Sequence, residues 1–265
     1  MEPFAIAVFD IDGVVRDVGG SYRRAIADTV EHYTNGQYRP TVEDIDTLKS
    51  EGIWNNDWKA SEVMVHRYFE RKGKPKPSAS YEEIVDYFQR QYRGPDTEDP
   101  AQWTGYIASE PLLMDEGYLR SLLQSGMPYA FFSGATQGSA NFVLQRRIGL
   151  ASPVLIAMED APSKPDPTGL MMAVQQIETQ TPTAKDLPVI YAGDTAADMK
   201  TITAARSQFS DRTWLAVGIL PPHAQKETAY KEQYAEKLKA AGAATVLDSI
   251  RDLDADCTKQ LLANI

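Results

Sequence analysis

The chain has 265 residues, of which 43% are hydrophobic and 24% charged, a globular composition that excludes disordered, collagen-like and coiled-coil proteins. Its 27 lysines and arginines are outnumbered by 37 aspartates and glutamates. The resulting net charge of −10 argues against nucleic acid or an anionic membrane as the main partner. Because Cys257 is the only cysteine, an internal disulfide and a cysteine-based metal cluster are also excluded.

The first predicted element is a strand at residues 4–9, which is apolar without alternation and therefore typical of a strand buried on both faces. An acidic residue at position 2 and the shortness of this run fit neither a secretory signal nor a membrane span. We expect a soluble, cytoplasmic protein. The sequence does not distinguish a monomer from a homodimer.

From about residue 20 to 93 the pattern predicts helices and no convincing strand. These helices are expected at 22–33, 42–49, 59–71 and 81–92. A polar, turn-rich passage at 95–100 follows them and indicates a hinge.

From Met127 onward, short β-rich runs alternate with amphipathic helical stretches. Strands are predicted at 129–132, 154–158, 189–191, 214–217 and 244–247, and helices around 141–148, 168–177, 196–205, 225–241 and 249–263. This alternation predicts βαβ units and a parallel sheet. We therefore predict an α/β fold with a Rossmann-like parallel-sheet core at 1–18 and 105–265 and an inserted all-helical cap domain at 19–104.

Two acidic motifs follow predicted strands. Asp10 and Asp12 come directly after the first strand, and Asp194 and Asp198 follow the strand at 189–191. Ligands of open α/β sheets bind beyond the carboxyl ends of the strands, where carboxylates serve as nucleophiles, general acids or bases, or ligands for hard cations. The structural alternatives are an Asp-Gly turn for the first motif and a helix N-cap for the second.

A hydroxyl and a lysine occupy two further strand ends. Ser133 and Gly134 follow the strand at 129–132, where a hydroxyl and backbone N–H groups can hold phosphate oxygens. The alternative is that Ser133 only caps the next helix. Lys164 lies beside Pro165 at the next strand–helix connection, where it can neutralise carboxylates and an anionic substrate or remain a solvated surface lysine.

Together, the four motifs resemble the haloacid dehalogenase (HAD) superfamily of phosphotransferases. The similarity covers residues 4–12 and about 110–250, and the helical insert matches the cap position between the first and second motifs of subfamily I. That subfamily includes proteins similar to phosphoglycolate phosphatase and β-phosphoglucomutase. The resemblance therefore implies a covalent phosphoryl-transfer mechanism.

In that mechanism, the resemblance implies that Asp10 is the nucleophile and that Asp12 first protonates the leaving group and then activates water. It further implies that Mg²⁺ is held by Asp10, the backbone carbonyl of Asp12 and Asp194. Asp198 would support either the metal shell or the lysine of the third motif. An acid at the position of Asp12 favours phosphoryl chemistry over dehalogenation, since dehalogenating members generally lack it.

The resemblance also implies that Ser133 and the amide of Gly134 bind the transferring phosphoryl oxygens and that Lys164 balances charge. For the substrate itself, Arg16 is a candidate to bind a second anionic group. Asn55, in the cap loop at 51–58, is a candidate to hydrogen-bond the leaving group, and the tryptophans of that loop either cover the site or only pack the cap.

The function predicted from these residues is a Mg²⁺-dependent phosphatase acting on a small phosphorylated metabolite. The alternative within the same superfamily is a sugar phosphomutase, which uses the same acidic pair and a helical cap. A non-catalytic binding protein is a third hypothesis, and the intact set of acidic, hydroxyl and lysine residues argues against it.

Overall fold

A computed structural model describes residues 1–51, 53–54, 56–96 and 98–264. The chain forms two compact units, Met1–Asp17 with Pro111–Ile265 and Val18–Glu110. The second unit therefore ends later than the limit at 104 expected from the sequence. The turn-rich passage at 95–100 lies inside this unit, and its role as a hinge stays a prediction. The role of the unit as a cap stays a prediction.

The unit Val18–Glu110 contains helices α1 (Tyr22–Tyr33), α2 (Val42–Ser50), α3 (Asp57–Arg71) and α4 (Tyr81–Tyr92). Helices α2 and α4 begin with capping boxes, in which a hydroxyl and an acidic side chain satisfy backbone N–H groups reciprocally. Helix α1 packs against α3 and α4, and the ring of Tyr22 stacks on that of Tyr92 at 4.2 Å between centroids. All four helices lie where the sequence pattern predicts them.

The other unit is built on six parallel strands in the order β3-β2-β1-β4-β5-β6. Their bounds are β1 Ile6–Phe9, β2 Tyr129–Phe132, β3 Leu155–Ile156, β4 Val189–Gly193, β5 Trp214–Ile219 and β6 Thr245–Leu247. Phe9 is paired with Phe131 on one side and with Ala192 on the other. The predicted α/β fold with a parallel sheet is confirmed.

Helices cover both faces of this sheet. They are α5 Glu116–Gln124, α6 Gln137–Asn141, α7 Thr168–Gln180, α8 Ala196–Gln208, α9 Thr228–Ala240 and α10 Ala255–Ala263. Ile6 and Val8 share one buried cluster with residues of α7, α8 and α9. The ring of Phe9 lies 6.4 Å from that of Tyr118 on α5, between centroids. Strand β1 is therefore buried on both faces, as its unbroken apolar run predicts.

Three helical segments differ from the prediction. Helix α5 is absent from the sequence-based prediction. The segment expected as one helix at 141–148 is the end of α6 followed by a π-helical stretch at Phe142–Arg147. The helix expected at 249–263 is a 3₁₀ turn at Ile250–Asp252 and then α10, because the side chain of Asp254 accepts a hydrogen bond from the backbone of Cys257 and starts a new helix. In the described ranges, none of the helices combines the length and apolar content needed to span a bilayer.

Candidate active site

The predicted site residues meet at the carboxyl edge of the sheet. Asp10 directly follows β1, Ser133 follows β2 and Asp194 follows β4, and the register aligns these three strand ends. Asp198 lies in the first turn of α8, which begins just beyond β4. Asp10, Asp194 and Asp198 are all buried, and each offers an oxygen within 4.8 Å of the others. Parallel topology thus gathers carboxylates from distant parts of the chain.

Lys164 lies between two of these carboxylates. Its Nζ is 2.9 Å from Oδ1 of Asp10 and 2.7 Å from Oδ1 of Asp198, and its side chain is 10% exposed. Burial opposes the charge on the ammonium, but the two carboxylates outweigh that effect and raise the pKa of Lys164. This geometry excludes the alternative of a solvated surface lysine.

Each carboxylate oxygen of Asp198 accepts two hydrogen bonds. Its Oδ1 accepts from Lys164 and from the hydroxyl of Tyr191 at 2.9 Å. Its Oδ2 accepts from the backbone N–H of Thr195 at 2.9 Å and from the Thr195 hydroxyl at 2.5 Å. Burial favours the neutral acid, but Lys164 and these donors together lower the pKa of Asp198. Of the two predicted roles, these contacts favour holding Lys164 over a direct place in a metal shell.

The surroundings of Asp10 favour its neutral form. Its Oδ1 accepts from the backbone N–H of Ile11 at 2.7 Å and faces Lys164. Burial raises the pKa of Asp10 to about 7, the lysine opposes this increase, and the charges of Asp198 and Asp12 add to it. A further cation beside Asp10 would therefore favour its ionised form.

Gly13 allows the loop after β1 to approach Asp194 closely. Its φ is +80°, and a Cβ built on it would lie 2.1 Å from Oδ2 of Asp194. Only a glycine fits both the backbone conformation and the space. The Asp-Gly turn expected as an alternative is present, and here it packs the first acidic motif against the fourth.

The donor set fits a hard divalent cation. Asp10, Asp194 and Asp198 are buried around one buried lysine, so negative charge is in excess within this cluster. Carboxylate and carbonyl oxygens are the ligands that Mg²⁺ prefers. Because the oxygens of Asp198 already accept four hydrogen bonds, Asp198 is less suited than Asp10 to bind the ion directly.

Ser133 and Asp194 are not the N-caps of the helices that follow them. Thr136 caps α6 and Thr195 caps α8, each through its own side chain. Ser133 is buried, and its Oγ accepts from the backbone N–H of Ala135 at 3.2 Å. Gly134 is exposed, and the space where a side chain would begin is open. This arrangement suits the predicted binding of phosphoryl oxygens.

Arg16, the residue predicted to bind a second anionic group of the substrate, lies in the protein interior. It is fully buried, and its Nε and Nη2 lie 2.7 Å and 2.6 Å from Oδ1 of Asp12. Its Nη2 also donates to Oγ of Ser139 at 3.1 Å. A buried guanidinium bound to an acid of the same loop does not suit contact with a second anionic group of a substrate. The spacing of four residues between Asp12 and Arg16 is the sequence signal that could have indicated this pair.

The cap-loop prediction is only partly covered by the structure, because Asn55 and Gly52 lie outside the described residues. Trp54 donates from Nε1 to Oε2 of Glu51 at 2.7 Å, and Arg67 binds both carboxylate oxygens of Glu51 at 2.6 and 2.8 Å. Trp54 is thus held by residues of its own unit. A role for the loop at 51–58 in substrate selection stays a prediction.

A parallel sheet with a cluster of acids and a lysine at its carboxyl edge is typical of α/β enzymes. The family model of the haloacid dehalogenase-like hydrolases matches residues 4–206, and the chain belongs to that family. The family membership and the hydrolase class predicted from the sequence are therefore confirmed.

Individual relatives were found by sequence and by structure. The chain is 29% identical over 252 residues to an imidazoleglycerol-phosphate dehydratase of Phytophthora nicotianae. The match includes 92% of this chain and 50% of that protein. The chain therefore spans about half the length of this curated relative. A HAD family hydrolase of Deinococcus radiodurans, solved with bound phosphate and sodium, superposes with a TM-score of 0.64 at 18% identity, covering 98% of both chains.

Two further solved structures share the fold. Phosphatase Tt82 of Thermococcus thioreducens has a TM-score of 0.60 at 23% identity, over 80% of this chain and 92% of that one. A candidate β-phosphoglucomutase of Thermotoga maritima has a TM-score of 0.59 at 14% identity, over 97% and 99% of the two chains. At these identities the similarity shows a common fold.

Proposed function

We propose that the protein is a Mg²⁺-dependent phosphatase that hydrolyses a small phosphorylated metabolite through an aspartyl phosphate on Asp10. One observation carries the proposal: Nζ of Lys164 bridges Asp10 and Asp198 inside a buried cluster that also contains Asp194. A lysine buried among carboxylates at the carboxyl edge of a parallel sheet supports binding and transfer of an anionic group.

Asp10, Asp194 and the backbone carbonyl of Asp12 would hold the Mg²⁺. When bound, the ion supplies positive charge that favours both the ionised nucleophile and an anionic phosphate. This assignment is supported by the excess of buried carboxylates and by the raised pKa of Asp10, about 7 without a metal.

In the proposed reaction, each of the chain's own groups has a separate role. The hydroxyl of Ser133, the N–H of Gly134 and the ammonium of Lys164 bind phosphoryl oxygens. A carboxylate oxygen of Asp10 attacks phosphorus, the bond from phosphorus to the leaving oxygen breaks, and Asp12 gives that oxygen a proton. Asp12 then takes a proton from a water that attacks phosphorus, which breaks the bond to Asp10 and releases inorganic phosphate.

The experiment that tests this proposal is a panel of phosphorylated metabolites with product identification. The panel contains primary alkyl phosphates, sugar phosphates and imidazoleglycerol phosphate, the last chosen from the name of the curated relative. Each compound is incubated with Mg²⁺ or with a chelator. We expect metal-dependent release of inorganic phosphate from at least one compound.

Two outcomes would contradict the phosphatase. Isomerisation of a sugar phosphate without net release of phosphate identifies a phosphomutase, and no turnover of any compound removes the support for phosphoryl chemistry. Full activity in rigorously metal-free buffer would contradict the assignment of Mg²⁺.

A further inference from the structure

The loop after β1 contains an ion pair between Arg16 and Asp12, of which the proposed mechanism uses only Asp12. Arg16 is fully buried, whereas the side chain of its partner Asp12 is 29% exposed. A buried guanidinium is costly unless it is paired and hydrogen-bonded, so the fold must position this contact well. Asp12, which would transfer the proton in the proposed reaction, is therefore held in place by a side chain of the protein interior.

Both contacts from Arg16 fall on one oxygen of Asp12. Nε and Nη2 lie 2.7 and 2.6 Å from Oδ1, and Oδ2 lies outside these contacts. In a carboxylic acid the carbonyl-type oxygen accepts hydrogen bonds and the other oxygen carries the proton. With Oδ1 bound by the guanidinium, Oδ2 is the oxygen of Asp12 left to take part in proton transfer.

The backbone keeps Arg16 in place. The N–H of Gly13 donates to the carbonyl of Arg16 at 2.9 Å, and the N–H of Arg16 donates to the carbonyl of Ile11 at 3.2 Å. On its other side, Arg16 forms a β-bridge to Leu112, which lies in the same unit. The side chain of Arg16 thus extends from a loop that is held together by its own backbone hydrogen bonds.

Arg16 also connects Asp12 to the loop predicted to bind phosphate. Nη2 of Arg16 donates to Oγ of Ser139 at 3.1 Å, and Ser139 lies in α6, directly beyond Ser133 and Gly134. The guanidinium of Arg16 therefore contacts both Asp12 and the segment that would hold the transferring phosphoryl group.

We propose that Arg16 is a positioning residue for Asp12: it binds Oδ1 and thereby directs the protonated Oδ2 toward the leaving oxygen. The inference rests on the proposed function, because it assigns Asp12 as the acid of that reaction. Misplacing a catalytic group by about 1 Å costs on the order of a hundredfold in rate, so a positioning contact has a measurable effect.

The test compares two leaving groups in the same variant. A primary alkyl phosphate needs a proton on its leaving oxygen, whereas 4-nitrophenyl phosphate leaves as a stable phenolate. The ratio of the two kcat/KM values therefore measures the contribution of the general acid. Each kcat/KM value covers only the steps up to departure of the leaving group. A loss of folded protein lowers both values by the same factor, so the ratio does not change.

We expect Arg16→Lys to lower the alkyl-to-aryl ratio about tenfold or more, because a single ammonium cannot reproduce the two contacts to Oδ1 and the one to Ser139. Ser139→Ala removes one of these contacts and should lower the ratio in the same direction by less. Arg212→Lys is the matched control. Its side chain is 11% exposed and pairs with Glu178 at the other end of the strands, so the ratio should stay at the wild-type value.

Asp12→Asn separates failure of the inference from failure of the proposed function. If Asp12→Asn lowers the ratio and Arg16→Lys reduces both substrates equally or neither, Arg16 is only a structural residue and the inference is wrong. If Asp12→Asn leaves the ratio unchanged, Asp12 is not the acid and the proposed mechanism itself fails.

Discussion

Gly13→Ala measures how much the candidate metal site depends on close packing of the loop after β1. The substitution has two costs. An L-residue at φ +80° is disfavoured by about 1–2 kcal/mol, and the new Cβ would lie 2.1 Å from Oδ2 and 2.5 Å from Cγ of Asp194. Because a real Cβ cannot approach so closely, the carboxylate of Asp194 must move away from its present position.

Gly149→Ala separates these two costs. Gly149 lies in the same unit and has φ +95°, but nothing lies within 4 Å of the position of its Cβ. The control should therefore lower the free energy of unfolding by about 1–2 kcal/mol and leave Mg²⁺ binding unchanged. Gly13→Ala should destabilise further and weaken Mg²⁺ binding at least about tenfold, which corresponds to about 1.4 kcal/mol.

Urea denaturation of the metal-free proteins and titration calorimetry with Mg²⁺ provide the two measurements. Wild-type Mg²⁺ affinity in Gly13→Ala would refute the reasoning, since a displaced Asp194 could not bind the ion normally. An equal loss of affinity in Gly149→Ala would refute it as well, because strain alone would then account for the effect.

Three further predictions concern the buried cluster. Asp10→Asn should reduce phosphate release at least about 10³-fold while the fold persists, because an amide cannot attack phosphorus. Binding of Mg²⁺ should weaken about tenfold between pH 8 and pH 6 in calorimetry: burial raises the pKa of Asp10 to about 7, and below that pH a proton must leave before the metal binds. Tyr191→Phe should lower the free energy of unfolding by about 2 kcal/mol, because the hydroxyl donates to buried, charged Asp198 at 2.9 Å.

Each of these predictions has an outcome that contradicts it, and the two substitutions also have control variants. Asp186→Asn changes a side chain that is 80% exposed and should keep full activity; retained activity in purified Asp10→Asn would exclude Asp10 as the nucleophile. Mg²⁺ affinity that is constant from pH 6 to pH 8 would mean that no proton competes at Asp10. Tyr129→Phe, on β2 of the same sheet, is the control for Tyr191→Phe, and equal stability losses in the two variants would argue against the hydrogen bond to Asp198.

The strand ends that carry the site were predictable because local signals agree there. The unbroken apolar run before Asp10 specifies a strand buried on both faces, and a polar motif directly after such a strand lies at the carboxyl edge of a parallel sheet. The same reasoning locates Ser133 and Asp194. Helix α5 was missed although Asp115 caps it, since its short amphipathic pattern precedes the regular alternation of strands and helices.

The environment of charged side chains was not predictable in the same way. Lys164 and Arg16 are ordinary surface residues by composition, and their burial depends on partners that the fold supplies. Nothing local in the sequence shows that the hydroxyl of Tyr191 reaches Asp198, because that contact depends on how α8 packs against β4. Sequence patterns thus indicated which residues lie together at the carboxyl edge of the sheet. Tertiary packing determines the burial and the hydrogen-bond partners of each one.

The position of β1 in the sheet has a consequence for synthesis of the protein. This strand leaves the ribosome well before its neighbours β2 and β4, which begin only at Tyr129 and Val189. The nascent chain must therefore keep a fully apolar strand unpaired while the whole helical unit is made, and closing such long loops slows folding. A product that terminates before Val189 would hold Asp10 at the edge of a half-built sheet, an aggregation-prone species.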